Sequence, residues 1–148
     1  MSVSPVLRHA GSDAEIAACF AAMRELRPHL ADAAEFVGRV RRQQADGYRL
    51  LAAWRGQTAV GLAGYRVTEN LIHGRFAYVD DLVVLAAERR NGLGARLLDA
   101  VTEEAQRLDC RKLVLDTPLS NALGQRFYFR YGMLSAAMRF AREIPLRN

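Results

Sequence analysis

Lysine is almost missing from this 148-residue chain: Lys112 is the only one, although lysine and arginine together number 21. The net charge of +5 is therefore carried by arginines, and these are spread along the chain. No basic run marks a nucleic-acid surface, and none is expected. Cysteine is equally scarce, with only Cys19 and Cys110. They lie far apart, with no CxxC and no metal-ligand spacing, and two reduced thiols in a cytoplasmic protein are expected. The histidines His9, His29 and His73 are scattered, which argues against a metal site. No apolar run reaches membrane-spanning length, and no membrane association is expected. The first eight residues lack a basic stretch followed by an apolar one, so no secretory signal is read there. Internal repeats and low-complexity linkers are missing too, and the length suits one domain over residues 1–148.

What is present is a clear succession of periodic segments. Val3 to His9 alternates as a strand. Ser12 or Asp13 caps a helix starting near Ala14, with an apolar stripe of Ile16, Cys19, Phe20, Met23 and Leu26 ended by Pro28. A second helix is predicted from Asp32 to Gln44. Three strands follow, Tyr48–Trp54, Thr58–Val67 (broken by Gly61 and Gly64) and Phe76–Val84, as an antiparallel meander. Arg96 to Leu108 is amphipathic and helical. Lys112–Asp116 is a strand, Asn121–Tyr131 a short helix stopped by Gly132, and Ala136–Arg142 a last alternating strand. The order βααβββαβαβ is α+β, a mixed and mostly antiparallel sheet flanked by helices.

The segment Val84-Leu85-Ala86-Ala87-Glu88-Arg89-Arg90-Asn91-Gly92-Leu93-Gly94-Ala95 carries the most chemistry. A strand empties into a turn of two arginines and two glycines, and a helix starts there. Such a turn aims backbone N–H groups and a positive helix end at one point, which makes an anion site and suits a pyrophosphate. A nucleotide-hydrolysing P-loop would need Gly-Lys-Ser/Thr, but Gly94 is followed by Ala95 and Arg96. A dinucleotide fold would place three glycines in its first strand-to-helix turn, and this turn lies past mid-chain with two.

Arg89-x-x-Gly92-x-Gly94 resembles the acyl-CoA loop, Arg/Gln-x-x-Gly-x-Gly/Ala, of the GNAT N-acetyltransferase family. Downstream, Asn121-Ala122-Leu123-Gly124-Gln125-Arg126-Phe127-Tyr128-Phe129-Arg130-Tyr131-Gly132-Met133 resembles that family's Asn-x-x-Ala-x-x-Phe-Tyr-x-x-x-Gly-Phe segment. Gly124 stands for the usual alanine and Met133 for the usual phenylalanine. The two motifs come in the family's order, and the resemblance covers nearly the whole chain.

That resemblance implies the GNAT fold and an N-acetyltransferase using acetyl-CoA as co-substrate, with no metal. Backbone groups of Arg89, Arg90, Asn91, Gly92, Leu93, Gly94 and Ala95 would hold the pyrophosphate. Val83, Val84 and Leu85, on a strand that splays from its neighbour, would meet the pantetheine arm, and Asn121 would bond that arm or a bridging water. Tyr128 matches the general acid that protonates the leaving thiolate, a task suited to a phenol. Asp80-Asp81 resembles the acidic pair of polyamine-type and thialysine-type members. Strand alternation lets only one of the two face the groove; Asp80 is expected to act as base through water, with Asp81 supporting and Glu69 as the other candidate. The acidic pair implies a cationic acceptor: a polyamine, a lysine-like small molecule or a protein lysine. The alternative is a non-catalytic acyl-CoA-binding module. The final strand, an exposed edge, is expected to pair in a homodimer.

Overall fold

A computed structural model describes residues 3–147, which fall into two compact units, Met1–Leu115 and Asp116–Asn148. The first unit is built on a five-stranded sheet in sequence order: β1 Val6–His9, β2 Tyr48–Arg55, β3 Thr58–Asn70, β4 Gly74–Val84 and β5 Lys112–Leu115. The first four strands pair antiparallel, and β5 joins β4 in parallel. A parallel neighbour needs a crossover, and the helix α4, Leu93–Arg107, supplies it.

One face of the sheet carries three helices. The stripe expected to form one helix appears as two, α1 Asp13–Ala18 and α2 Phe20–Leu26. They meet at the fully buried Cys19, whose N–H turns to the carbonyl of Ile16 and tightens the chain there. Of the two caps expected, Ser12 is the one used, and Glu15 reciprocates by accepting from the Ser12 N–H. Arg27 leaves the helix at φ −122° and ψ 72°, because the residue before a proline is pushed out of the helical region. The third helix, α3 Ala33–Gln44, is capped by Asp32. Ile16, Phe20, Met23, Phe36 and Val40 close over Tyr48, Leu50, Trp54, Leu62 and Val83 as one buried cluster.

On the helix α4, Leu93, Leu97, Leu98, Val101 and Ala105 form the buried stripe. The helix lies so near β3 that a Cβ on Gly61 would sit 3.1 Å from a methyl of Leu93 and 3.2 Å from one of Leu97. The glycine that seemed to break the strand is where the helix seats.

The second unit holds a single helix, α5 Ala122–Tyr131, capped by the Asn121 side chain on the N–H of Gly124 and ended by Gly132 at φ 103°. No residue of α5 is buried. The expected strand Ala136–Arg142 is not formed. Among the described residues, Leu134 to Arg147 make no backbone–backbone hydrogen bond, and Met138 and Phe140 are 74% and 85% exposed. A strand is held by its ladder and by packing on one face, and a segment of three alanines and two arginines among seven residues offers little of either.

Candidate functional site

Two constructions in the first unit stand out, and both belong to β4. The parallel pairing of β4 with β5 runs only from Phe76 to Val79, whereas its antiparallel pairing with β3 continues to Val84. From Asp80 onward the side of β4 turned toward β5 has no ladder partner there. The N–H of Leu85 goes to the carbonyl of Val60, so by antiparallel alternation Val83 also turns to β3, while Leu82 and Val84 turn outward. The carbonyl of Leu85 takes the N–H of Glu88, so this residue closes the strand against both β3 and the turn that follows.

Beyond β4 a single 3-10 turn, Ala86–Glu88, leads into the arginine-glycine loop. Arg90 and Gly92 both adopt positive φ, 80° and 73°, and Gly92 is the N-cap of α4. A side chain at 92 would meet nothing within 4 Å, so the glycine serves backbone conformation over open space. The first bond of the helix runs from the N–H of Arg96 to Gly92. The N–H groups of Leu93, Gly94 and Ala95 precede that bond and share the open helix end, with no side-chain cap. This open helix end stands where the sequence reading placed the anion site. Its support was not foreseen: Glu88 is buried and gripped by Arg55 at 2.5 and 3.0 Å, which holds its carboxyl below the usual range. The Nε of Arg89 donates to the carbonyl of Val84 at 3.1 Å, folding the loop back on its strand.

The second construction is a bulge. Gly64 pairs with Asp81 and Tyr65 with Val79, so Asp80 is an extra residue in β4. The expectation that alternation sends Asp80 and Asp81 to opposite faces fails for this reason. Both carboxylates engage one cluster. Asp81 accepts from the Arg27 Nε at 3.0 Å and from the Tyr48 hydroxyl at 2.8 Å. Asp80 accepts from the Arg66 Nε at 2.9 Å, and its backbone carbonyl, which the bulge takes out of the ladder, is capped by Arg27 at 2.8 Å. Burial pushes the Asp80 carboxyl up, against the pull of Arg66. Burial and the neighbouring Asp81 push the Tyr48 phenol well up. Gly64 makes the space: a Cβ there would overlap the Tyr48 hydroxyl and lie 2.7 Å from the Asp81 carboxylate.

Sequence reading missed Arg27, Tyr48 and Arg66. The signal was Gly64 within a strand, which marks a bulge or a close approach. Glu69 is not brought to this cluster; it is exposed and pairs with Arg75 near the far end of the hairpin.

In the second unit Asn121 caps α5, and its amide also donates to the Thr117 hydroxyl at 3.2 Å. A Cβ on Gly124 would press on the Asn121 side chain, which would have to shift to admit it. Tyr128 is half-buried, its ring edge-on to Phe127 with centroids 5.3 Å apart, and burial raises its phenol pKa. Among the described residues no cluster of histidine, cysteine or carboxylates could hold a metal.

A family model described as the acetyltransferase (GNAT) family matches residues 15–133. No curated protein matches the chain by sequence. Among solved structures, a transcriptional regulator from Bacillus halodurans C-125 superposes with a TM-score of 0.83 at 18% identity, over 95% of this chain and 99% of that one. Aminoglycoside N-acetyltransferase AAC(6')-Iy in complex with CoA gives 0.82 at 20% identity, over 96% and 97%. The same enzyme with the bisubstrate analog CoA-S-monomethyl-acetylneamine gives 0.81 at 20%, over 97% and 100%. At these identities the likeness establishes the fold.

The packing around Gly64 makes a measurable claim. Gly64→Ala should cost about 1–3 kcal/mol by overpacking, and less in a Tyr48→Phe background, where the hydroxyl is gone. Urea unfolding of the four proteins reads the coupling; equal costs in both backgrounds would place the strain elsewhere.

Proposed function

Because the chain belongs to the acetyltransferase (GNAT) family, we propose that it moves an acetyl group from acetyl-CoA to a primary amine by direct attack, as one catalytic domain over residues 1–148. The family match runs from the first unit into the second, which supports the one-domain reading. One observation carries the proposal: β4 parts from β5 after Val79 and runs straight into a left-handed turn that opens α4. The outward N–H of Val84, whose carbonyl Arg89 already holds, suits an extended amide-bearing arm. The open N–H groups of Leu93, Gly94 and Ala95 suit a pyrophosphate, with Arg89, Arg90, Asn91 and Gly92 shaping the approach.

The proton traffic then falls to two side chains. Asp80 has one carboxylate oxygen held by Arg66 and a pKa raised by burial, which suits a base receiving the ammonium proton directly or through water. Asp81, held at both oxygens by Arg27 and Tyr48, orients its neighbour. The amine nitrogen attacks the thioester carbon, the carbon–sulfur bond breaks, and Tyr128 gives its proton to the thiolate. Asn121 positions the helix that carries Tyr128. Two unpaired cysteines fit work in the reducing cytoplasm. A homodimer is the proposed assembly: Leu134, Met138, Phe140, Ile144 and Leu146 are all exposed on a segment without backbone partners, and a second copy would cover them.

Acetyl-CoA at about 100 times its dissociation constant should stabilise the protein by roughly 2.7 kcal/mol. Gly92→Val, strained at φ 73°, should lose that shift while the free protein still melts cooperatively. No shift for the unaltered protein in calorimetry would refute acetyl-CoA binding. In thiol-release assays Tyr128→Phe should lower kcat by about 10²-fold or more with KM for acetyl-CoA little changed. Activity should rise with pH as Asp80 deprotonates, at a pH moved up by burial from that of an ordinary aspartate. Asp80→Asn should remove that limb and recover activity only where free amine is abundant. Light scattering should give a mass near twice 16.5 kDa; a monomer at micromolar concentration would refute the dimer.

A further inference from the structure

The acidic pair pointed, as sequence, to a cationic acceptor. The structure removes that ground, because each carboxylate already owns a guanidinium: Arg66 on Asp80 and Arg27 on Asp81. Within these two pairs two negative charges meet two positive ones, and Asp46 acts on Arg66 from outside them. The most exposed member of the two pairs is a cation. The Arg27 side chain is 41% exposed, against 25% for Asp80 and 14% for Asp81. An approaching molecule therefore meets guanidinium before carboxylate.

Arg27 is also not free to withdraw. Pro28 sets its backbone outside the helix, its Nε bonds Asp81, and its Nη2 caps the bulge carbonyl of Asp80. Displacing it would leave a largely buried carboxylate and an unpaired carbonyl behind, a costly exchange for one new ion pair. Arg66 is pinned as well, by Gln43 at 2.8 Å and by the Tyr48 ring 5.5 Å below its guanidinium. The net charge of +5 acts in the same direction, slowing the encounter with polycations.

We infer that the acceptor is an amine whose surroundings are neutral or anionic, not a polycation, and that Arg27 is the specificity-determining residue that sets this preference. The inference rests on the acetyl-transfer reading. The face of Arg27 turned away from Asp81 keeps N–H donors for a carboxylate or carbonyl next to the reacting nitrogen.

The test compares acceptors that share a reacting amine and differ in the distant charge: 6-aminohexanoate, hexylamine and 1,6-diaminohexane. Peptides Gly-Xaa-Lys-Xaa-Gly with Xaa as Glu, Ala or Lys form a parallel series. Thiol release from acetyl-CoA gives kcat/KM. In whichever series turns over, the anionic or neutral member should exceed the cationic one by about tenfold, after allowing for the diamine's second nitrogen. Arg27→Gln should shrink or reverse that ratio, whereas Arg27→Lys, which keeps the charge, should preserve the order. A wild-type preference for the cationic member overturns the inference without use of any variant. So does a ratio unchanged in a folded Arg27→Gln protein. Turnover of no acceptor in either series, with acetyl-CoA still bound, counts against acetyl transfer itself and takes the inference with it.

Discussion

The extra residue in β4 at Asp80 is the constraint on which the rest of this architecture depends. β4 outruns the short β5, which ends at Leu115, and a change of twist in β4 helps it part from that neighbour while keeping the other. A bulge supplies that change. Below it β4 is held between β3 and β5, and above it β4 stays only with β3. The bulge would be unstable alone, since it pulls a carbonyl from the ladder and sets two aspartates side by side. Arg27 answers both problems, capping the carbonyl and pairing Asp81, while Arg66 pairs Asp80. The opening in the sheet is thus maintained by an ion-pair cluster on its helical face.

The loop beyond β4 depends on a second fixed charge. Glu88 is the one buried charged side chain among the described residues, and Arg55 at the end of β2 holds it. This ties the turn before the loop to the middle of the sheet. From there Arg90 and Gly92 reverse the chain through positive φ, and α4 begins against β3 at the height of Gly61. A larger residue at 61 would lift the helix off the sheet and carry the open N–H groups with it. The open start of α4 is accordingly positioned from two directions, by Glu88 behind it and by Leu93 and Leu97 beneath.

Much of this was legible in the sequence, and the divisions are physical. Periodicity gave the order from β1 to α5, because each element buries one face and the burial pattern is written at period 2 or 3.6. Capping chemistry gave the start of α5 at Asn121 and narrowed that of α1 to Ser12 or Asp13, whereas the Asp32 cap of α3 is a finding of the structure. The loop could be read because glycine spacing is a local property. What stayed hidden was non-local. Arg27 lies 54 positions from Asp81, and Tyr48 lies 33 from it, so no spacing rule joins them. The last strand was read from alternation alone, and alternation does not make a strand where no ladder partner is present.

The same non-local pairing changes what an acidic motif means. Two adjacent aspartates on a strand before a phosphate-type loop suggest a pocket for positive charge only while their partners are unknown. Once Arg27 and Arg66 are in place, the carboxylates are no longer an attractive field but components of a charge-paired, hydrogen-bonded frame. Asp81 has both oxygens committed to that frame. Asp80 has Arg66 on one oxygen only, and its partial burial disfavours the charged form. A carboxylate in that condition is poorly suited to long-range attraction of a cation and well suited to taking a proton at short range. The fold has divided a pair of like charges into one carboxylate held at both oxygens and one held at a single oxygen, and the division rests on an arginine set outside its helix by the proline that follows it.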